Sequence, residues 1–253
     1  MTGTRDRALP RLIITADDLG RDAQCTAAIV DALARGRITA ASIMANGACF
    51  EQAVELLHAR GLAGAVGVHV VFDEGPPISG AMRPFCDEQG HLAVKRSVRP
   101  PPAHLRRALE LEVAAQVDRV IKAGIRPTHL DSHRHVHTVF ALGRIVVDVA
   151  RRQGIRYVRP ARNLVLKQPL TRALYKRVFN GYLRARVATA DYFCDIADFV
   201  ERRYPVRHGS LVELMAHLDV SERGAGNQAL IDGPAFDTLA REFRLVRHAD
   251  AGY

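Results

Sequence analysis

With 253 residues, 48% of them apolar and 25% charged, the chain has the balance of an ordinary globular protein with material for a sizeable core. No apolar run reaches the length of a signal peptide or a membrane span. The four cysteines (Cys25, Cys49, Cys86, Cys194) lack paired spacing, which argues against a disulfide frame or zinc knuckle and for reduced thiols in a cytoplasmic protein.

RLIITA (11–16) is a short, β-branched apolar run followed at once by Asp17-Asp18, which predicts a buried strand ending in acids. Residues 22–35 place Ala27, Ile29, Val30, Leu33 and Ala34 at helical spacing and stop near Gly36. ITAASIMAN (38–46) predicts a second strand, 49–61 a helix ending at Gly61, and GAVGVHVV (64–71) a third strand. This β-α-β-α-β rhythm is that of parallel strands with crossover helices, an α/β fold. Residues 72–102, rich in proline and glycine, break the rhythm, and so long a loop is more often functional than structural. The clearest helix is 103–123, with Leu105, Leu109, Val113, Val117 and Ile121 as its apolar stripe. THLD (128–131) predicts the next strand, SHRHVH its end and a loop, and 138–154 a helix closed by Gly154. A strand at 155–160, a helix at 170–186, a strand at 210–217 and a short helix near 234–243 complete the pattern. There is no internal repeat and no convincing boundary, so residues 1–253 read as a single domain.

In PTHLDSHRHVH (127–137), imidazoles or a carboxylate occupy every second position from His129 to His137. A strand would aim all of them one way. Predicted strand ends also carry Asp17 and Asp18, Asn46, His69, and His217. In parallel α/β folds those C-terminal ends share one face, so residues far apart in sequence converge there. His129 reads as structural and Arg134 as solvent-facing or substrate-facing. His133, beside Asp131, reads as a ligand; His135 and His137 read equally as helix-entry residues or as supporting partners. Imidazoles and a carboxylate can hold a zinc-like divalent ion, and a second carboxylate can serve as base. Asp17 and Asp18 would point apart in a regular strand, so sharing the task requires the strand to end or twist at that pair.

The net charge of +9 is uneven: residues 151–190 contain many arginines and lysines and no acid. A solvated basic face is the plainest reading. Attraction to an anionic, lipid-linked or membrane-surface substrate comes next. Nucleic-acid binding lacks support, since no known motif is present and tryptophan is absent.

TADDLG, GVHVVFDEGPPIS and PTHLDSHRHVH in this order, with ASIMANG and LVELMAH, resemble the YdjC-like carbohydrate deacetylases over about residues 11–217. The resemblance implies a distorted (β/α) TIM-like barrel that removes the N-acetyl group from an amino sugar, oligosaccharide or glycoconjugate with one divalent metal. It implies that Asp18, His69 and His133 bind that metal, that Asp17 is the general base, and that His217 is the candidate general acid. Asn46 and Arg159 match polar positions near the pocket and Asp131 and His135 supporting ones. Magnesium is the family's usual metal, whereas two imidazoles favour zinc, cobalt or nickel. One departure stands out: the family continues the late histidine with Pro-Gly, but Leu218-Asp219 follow His217 here, an altered turn that can re-aim the imidazole. Rival readings are a metal-dependent hydrolase of another ester or amide on a similar barrel, and a non-catalytic basic binding protein. Homo-oligomerisation is open at this stage.

Overall fold

The computed structural model describes residues 9–95, 97 and 99–253; residues 1–8 and positions 96 and 98 of the long loop lie outside them. β1 (Arg11–Leu19) is apolar on both faces because each is covered. Leu12, Ile14 and Ala16 pack toward the helices, while Ile13 belongs to a separate cluster with Ala40, Tyr157 and Leu211 in the barrel interior. β2 (Ala40–Ile43), β3 (Val66–Val70) and β4 (Leu130–Ser132) extend the sheet on one side of β1. β5 (Tyr192–Asp195) and β6 (Leu211–Ala216) extend it on the other, giving the order β4-β3-β2-β1-β6-β5, all parallel. A two-strand-residue β7 (Arg244–Leu245) pairs with the start of β1.

The predicted strand at 155–160 is the main correction. Its residues make only isolated bridges, Leu130 to Val158 and Tyr157 to Ala188. β4 offers just three residues to pair with, and Pro160 has no N–H to continue a ladder. The segment nevertheless spans the gap in the wall. The N–H of Leu130 donates to Tyr157 O and that of Arg159 to Leu130 O, both at 3.0 Å, while Asn163 N–H donates to Phe193 O of β5 at 3.2 Å. The result is a distorted barrel closed by irregular chain.

Helices α1 (Ala23–Ala34), α2 (Phe50–Ala59), α3 (Ala103–Lys122) and α4 (Phe140–Arg152) cover the first four strands. After them come α5 (Leu170–Arg184), α6 (Ile196–Arg202), α7 (Glu222–Asp232) and α8 (Pro234–Glu242). Along α3 the predicted stripe holds at Leu109, Val113 and Val117, but Ile121 is exposed and Glu112 and Gln116 are buried in its place. Those two polar side chains have partners just past β3 and in the long loop that follows. Glu112 accepts from the backbone N–H of Ile78 and Ser79, and Gln116 bonds both backbone groups of Val71. The loop itself is folded, with a 3-10 turn at Gly80–Phe85 and Leu92 bonded back to Gly75 O. A buried carboxylate on a helix thus pins the long loop at Ile78 and Ser79.

Candidate active site

The acid pair is shaped by a bulge. Register between β1 and β2 slips between Ala16 and Leu19, and Asp18 adopts φ +69°, a left-handed conformation that aspartate tolerates better than most residues. The extra residue turns both carboxylates into the barrel, which resolves the alternation problem posed by the sequence. Asp17 goes down to Arg159, whose two terminal nitrogens each donate to one of its oxygens at 2.8 Å. Asp18 goes sideways to His133 Nδ1 at 2.8 Å and His69 Nε2 at 3.2 Å.

His69 projects from β3 and Asp131 from the register position beside it on β4. His69 Nδ1 lies 2.7 Å from Asp131 Oδ1, so its Nε2 is the nitrogen turned toward Asp18. Ser42 Oγ donates to the other Asp131 oxygen at 2.7 Å. Beneath them Arg159 is fully buried, and its guanidinium is shared by Asp17, Asp131 and Glu213 at 2.7–2.8 Å. Tyr157 donates to Glu213 at 2.6 Å and Thr15 at 3.1 Å. Arg159, which the resemblance places at a polar position near the pocket, has no exposed surface. It is the floor on which Asp17 rests.

The charges set the proton affinities. Burial acts to raise Asp18, but hydrogen bonds and the charges of His133 and His69 hold it well below the usual carboxylate range. Burial acts to lower His69, and Asp131, Asp17 and Asp18 more than offset it, pushing the imidazole up to about 10. A pocket that so favours positive charge on an imidazole is one that favours a cation. Two buried groups have donor atoms within 4.8 Å of one another: Asp18, His69 and His133, and Asp17, His69 and Asp131. In the second, both carboxylates are already neutralised by Arg159, whose own charge would repel a metal ion. The first therefore has the right donor set, one carboxylate and two imidazoles, with His69 oriented by Asp131 as metal-binding histidines commonly are.

The histidine run divides after His133. Arg134 and His135 take left-handed conformations (φ +49° and +56°), which end the alternation and start the turn into α4. His135 packs edge-on against Phe193 with its Nδ1 unpartnered, and it bonds none of Asp18, His69 or His133. His137 is structural, held between Ser132 Oγ and the carbonyl of Arg159. His129 is buried lower in the barrel, where Gly67 makes room for it: a Cβ there would sit 2.5 Å from the ring.

Asn46 is spent largely on the long loop, donating to the carbonyls of Glu74 and Pro76, while its Oδ1 is buried without a partner. His217 follows β6, and its Nδ1 is likewise unpartnered. Burial lowers its proton affinity, and the charges of Asp17 and Asp18 work to raise it, so the ring stands within electrostatic reach of the acid pair. Leu218 is buried, and Asp219 closes the altered turn by accepting from the backbone N–H and hydroxyl of Ser221, the N-cap of α7.

Three participants escaped the reading of the sequence. Glu74 lies 3.1 Å from His133 Nε2 and is bracketed by Arg134 and Arg21. Glu213 is the lone acid in the apolar strand LVELMA, an anomaly that was legible. Ser42, in AASI, carried no signal beyond its polarity.

The chain matches the model of the family described as YdjC-like protein over residues 11–242. A carbohydrate deacetylase of Brevibacillus brevis is 35% identical over 149 residues, 58% of this chain and 59% of that one. A chitooligosaccharide deacetylase of Escherichia fergusonii is 34% identical over 148 residues, 57% of each. The matched part thus spans under three fifths of the length of these relatives. A crystal structure from Enterococcus faecalis, provisionally described as a cellobiose-phosphate cleavage protein, superposes with a TM-score of 0.74 at 20% identity, covering 96% of this chain and 98% of that one. That likeness shows a shared fold. With the family match running from the first strand to the last helix, the chain belongs to the YdjC-like family.

Proposed function

We propose that the chain is a metal-dependent N-deacetylase that hydrolyses the acetamido group of an amino sugar, alone or within an oligosaccharide or glycoconjugate, giving acetate and a free amine. The observation that carries this reading is the meeting of Asp18, His69 and His133 from three separate strand ends, with Asp17 one bulge position away. The names of the relatives support the carbohydrate substrate. The four cysteines are unpaired, which fits a reducing, cytoplasmic setting.

In this reading Asp18, His69 and His133 hold one divalent cation, which would supply an acidified water and a polarised carbonyl. The two imidazoles favour zinc, cobalt or nickel over magnesium. Asp17 takes the proton of the attacking water. Arg159 grips both oxygens of Asp17 and fixes the plane of the carboxylate. Asp131 fixes the tilt and tautomer of His69 through Nδ1. His217 gives a proton to the departing amine. Burial makes its imidazolium the readier donor and confines that form to the acidic side of the ordinary histidine range. Asn46 Oδ1 is a buried acceptor without a partner in the protein, and a substrate hydroxyl or N–H that reached it would supply one.

The test is acetate release from a panel of N-acetylated saccharides by metal-stripped and metal-restored protein, with phosphate and carboxylate esters as controls. Restored activity on the saccharides alone is expected. Asp17→Asn should keep bound metal and lose about a hundredfold to ten-thousandfold in kcat. Near-full turnover by that variant would remove Asp17 from the role of base.

A further inference from the structure

Helix α5 is built inside out. Leu170, Leu174 and Val178 recur at i, i+4 and i+8, the spacing of a core stripe, yet they are 88%, 63% and 55% exposed. Leu166, on the approach to the helix, is 66% exposed. The buried side of α5 is supplied by Phe179, Asn180 and Leu183 instead. Several large apolar side chains in one line facing water mark an interaction surface.

The charges around the stripe say what covers it. The segment 151–190 contains eleven lysines and arginines and no carboxylate side chain. Lys167, Arg172, Arg177 and Arg184 are exposed, and among the described residues none of them forms an ion pair; in this segment only Arg159 and Arg162 do. Burial and the neighbouring charges of Arg162 and Arg172 lower the Lys176 ammonium below its ordinary range, a sign of positive potential left uncompensated. In a two-fold pair of chains this face would meet itself and set like charge against like. A flat anionic layer with an apolar interior satisfies both features together.

We propose that α5 and Leu166 form a docking surface for an anionic membrane, with the leucines and Val178 entering the headgroup boundary and the flanking cations meeting lipid phosphates. Tyr175 on α5 accepts from Phe140 N–H and donates to Thr138 O, both at 2.8 Å, and so ties the helix to the turn that begins with His133. The inference stands apart from the deacetylase reading, because binding to lipid is measured without substrate or turnover.

The absence of tryptophan from the chain provides a clean probe. Leu174→Trp in the full chain introduces one reporter on the stripe, and Leu111→Trp places one on the partly exposed face of α3. With vesicles of phosphatidylcholine and phosphatidylglycerol in equal parts, Leu174→Trp emission should shift to the blue, Leu111→Trp emission should not, and raised salt should reverse the shift. In sedimentation with the same vesicles, Leu170→Glu/Leu174→Glu should partition about tenfold or more weakly than the parent chain. Pure phosphatidylcholine should bind little. No shift at Leu174→Trp, equal shifts at both positions, or unchanged partition of the double variant would overturn the proposal. So would light scattering that finds a dimer which Leu170→Glu/Leu174→Glu dissociates, since a second copy would then own the stripe.

Discussion

His69 and His129 face the same barrel interior from neighbouring strands, and both are fully buried, yet their proton affinities part in opposite directions. Burial pulls each down. His69 then meets Asp131 on one nitrogen and Asp18 on the other and rises to about 10. His129 meets hydroxyls, Ser42 Oγ at 3.0 Å and Thr128 Oγ1 at 2.8 Å, with the ring of His248 stacked 4.0 Å away, and falls to about 3. Two residues of strand, from 129 to 131, separate a neutral aromatic floor from a charged upper layer. What separates the two imidazoles is depth along the barrel: the carboxylates that touch His69 sit where β1 and β4 end, and none touches His129.

The sharpest way to break that contrast is to remove the cation beneath the acids. Arg159→Met leaves Asp17, Asp131 and Glu213 sharing a buried space with only His69, on Asp131, to offset their charge. Denaturant unfolding should show a loss of about 3–5 kcal/mol. An unchanged unfolding midpoint would mean that the upper layer is not held together by charge. Less drastic is a cut at its lower boundary. Asp131→Asn should weaken zinc binding about tenfold to a hundredfold in calorimetric titration, because His69 loses the partner that sets its tautomer. Ser42→Ala, which breaks the bridge from Asp131 to His129, should leave zinc affinity close to that of the parent. Equal losses in the two variants would place the boundary deeper than His69.

The same contrast explains what the sequence could convey. Strand-end acids and histidines were readable because chemistry in a parallel barrel gathers there, and RLIITADD and GVHVV are unambiguous runs. Their cooperation was not readable in the same way, since it depends on a bulge at Asp18 and on left-handed turns at Arg134 and His135, residue types that do not announce positive φ. The reading of SHRHVH as strand end and loop holds, with β4 ending at Ser132. β5 was missed because YFCD is too short to show a period, and α7 because ERGAGNQALID carries two glycines and little apolar pattern. The role of Arg159 required three partners from distant segments, at positions 17, 131 and 213, to become visible. The family resemblance supplied candidate roles for Asp18, His69 and His133; only the coordinates show that His69 spends its other nitrogen on Asp131.

The gentlest perturbation, a change of pH in steps, tests the floor alone. His129, His137 and His248 are buried and have depressed proton affinities, about 3 and about 4 for the first two and well below the ordinary value for the third, with burial the leading cause in each. As pH falls through the ordinary histidine range, the unfolded chain takes up protons at these positions and the folded chain does not. Their contribution is therefore complete above that range and declines toward pH 4 and 3, by roughly 1.4 kcal/mol per pH unit for each histidine in that window. His69 has the opposite sign: in metal-free protein its contribution is complete below the ordinary histidine range and is lost as pH rises toward 10. Thermal unfolding of metal-stripped protein should then weaken on both sides of neutrality for two separable reasons. His248→Phe, which keeps a ring against His129 while giving up the bond to Tyr253, should flatten the acid limb and leave the alkaline limb in place. If both limbs moved together in that variant, the floor and the charged layer would be one titrating unit, and the division by depth would fail.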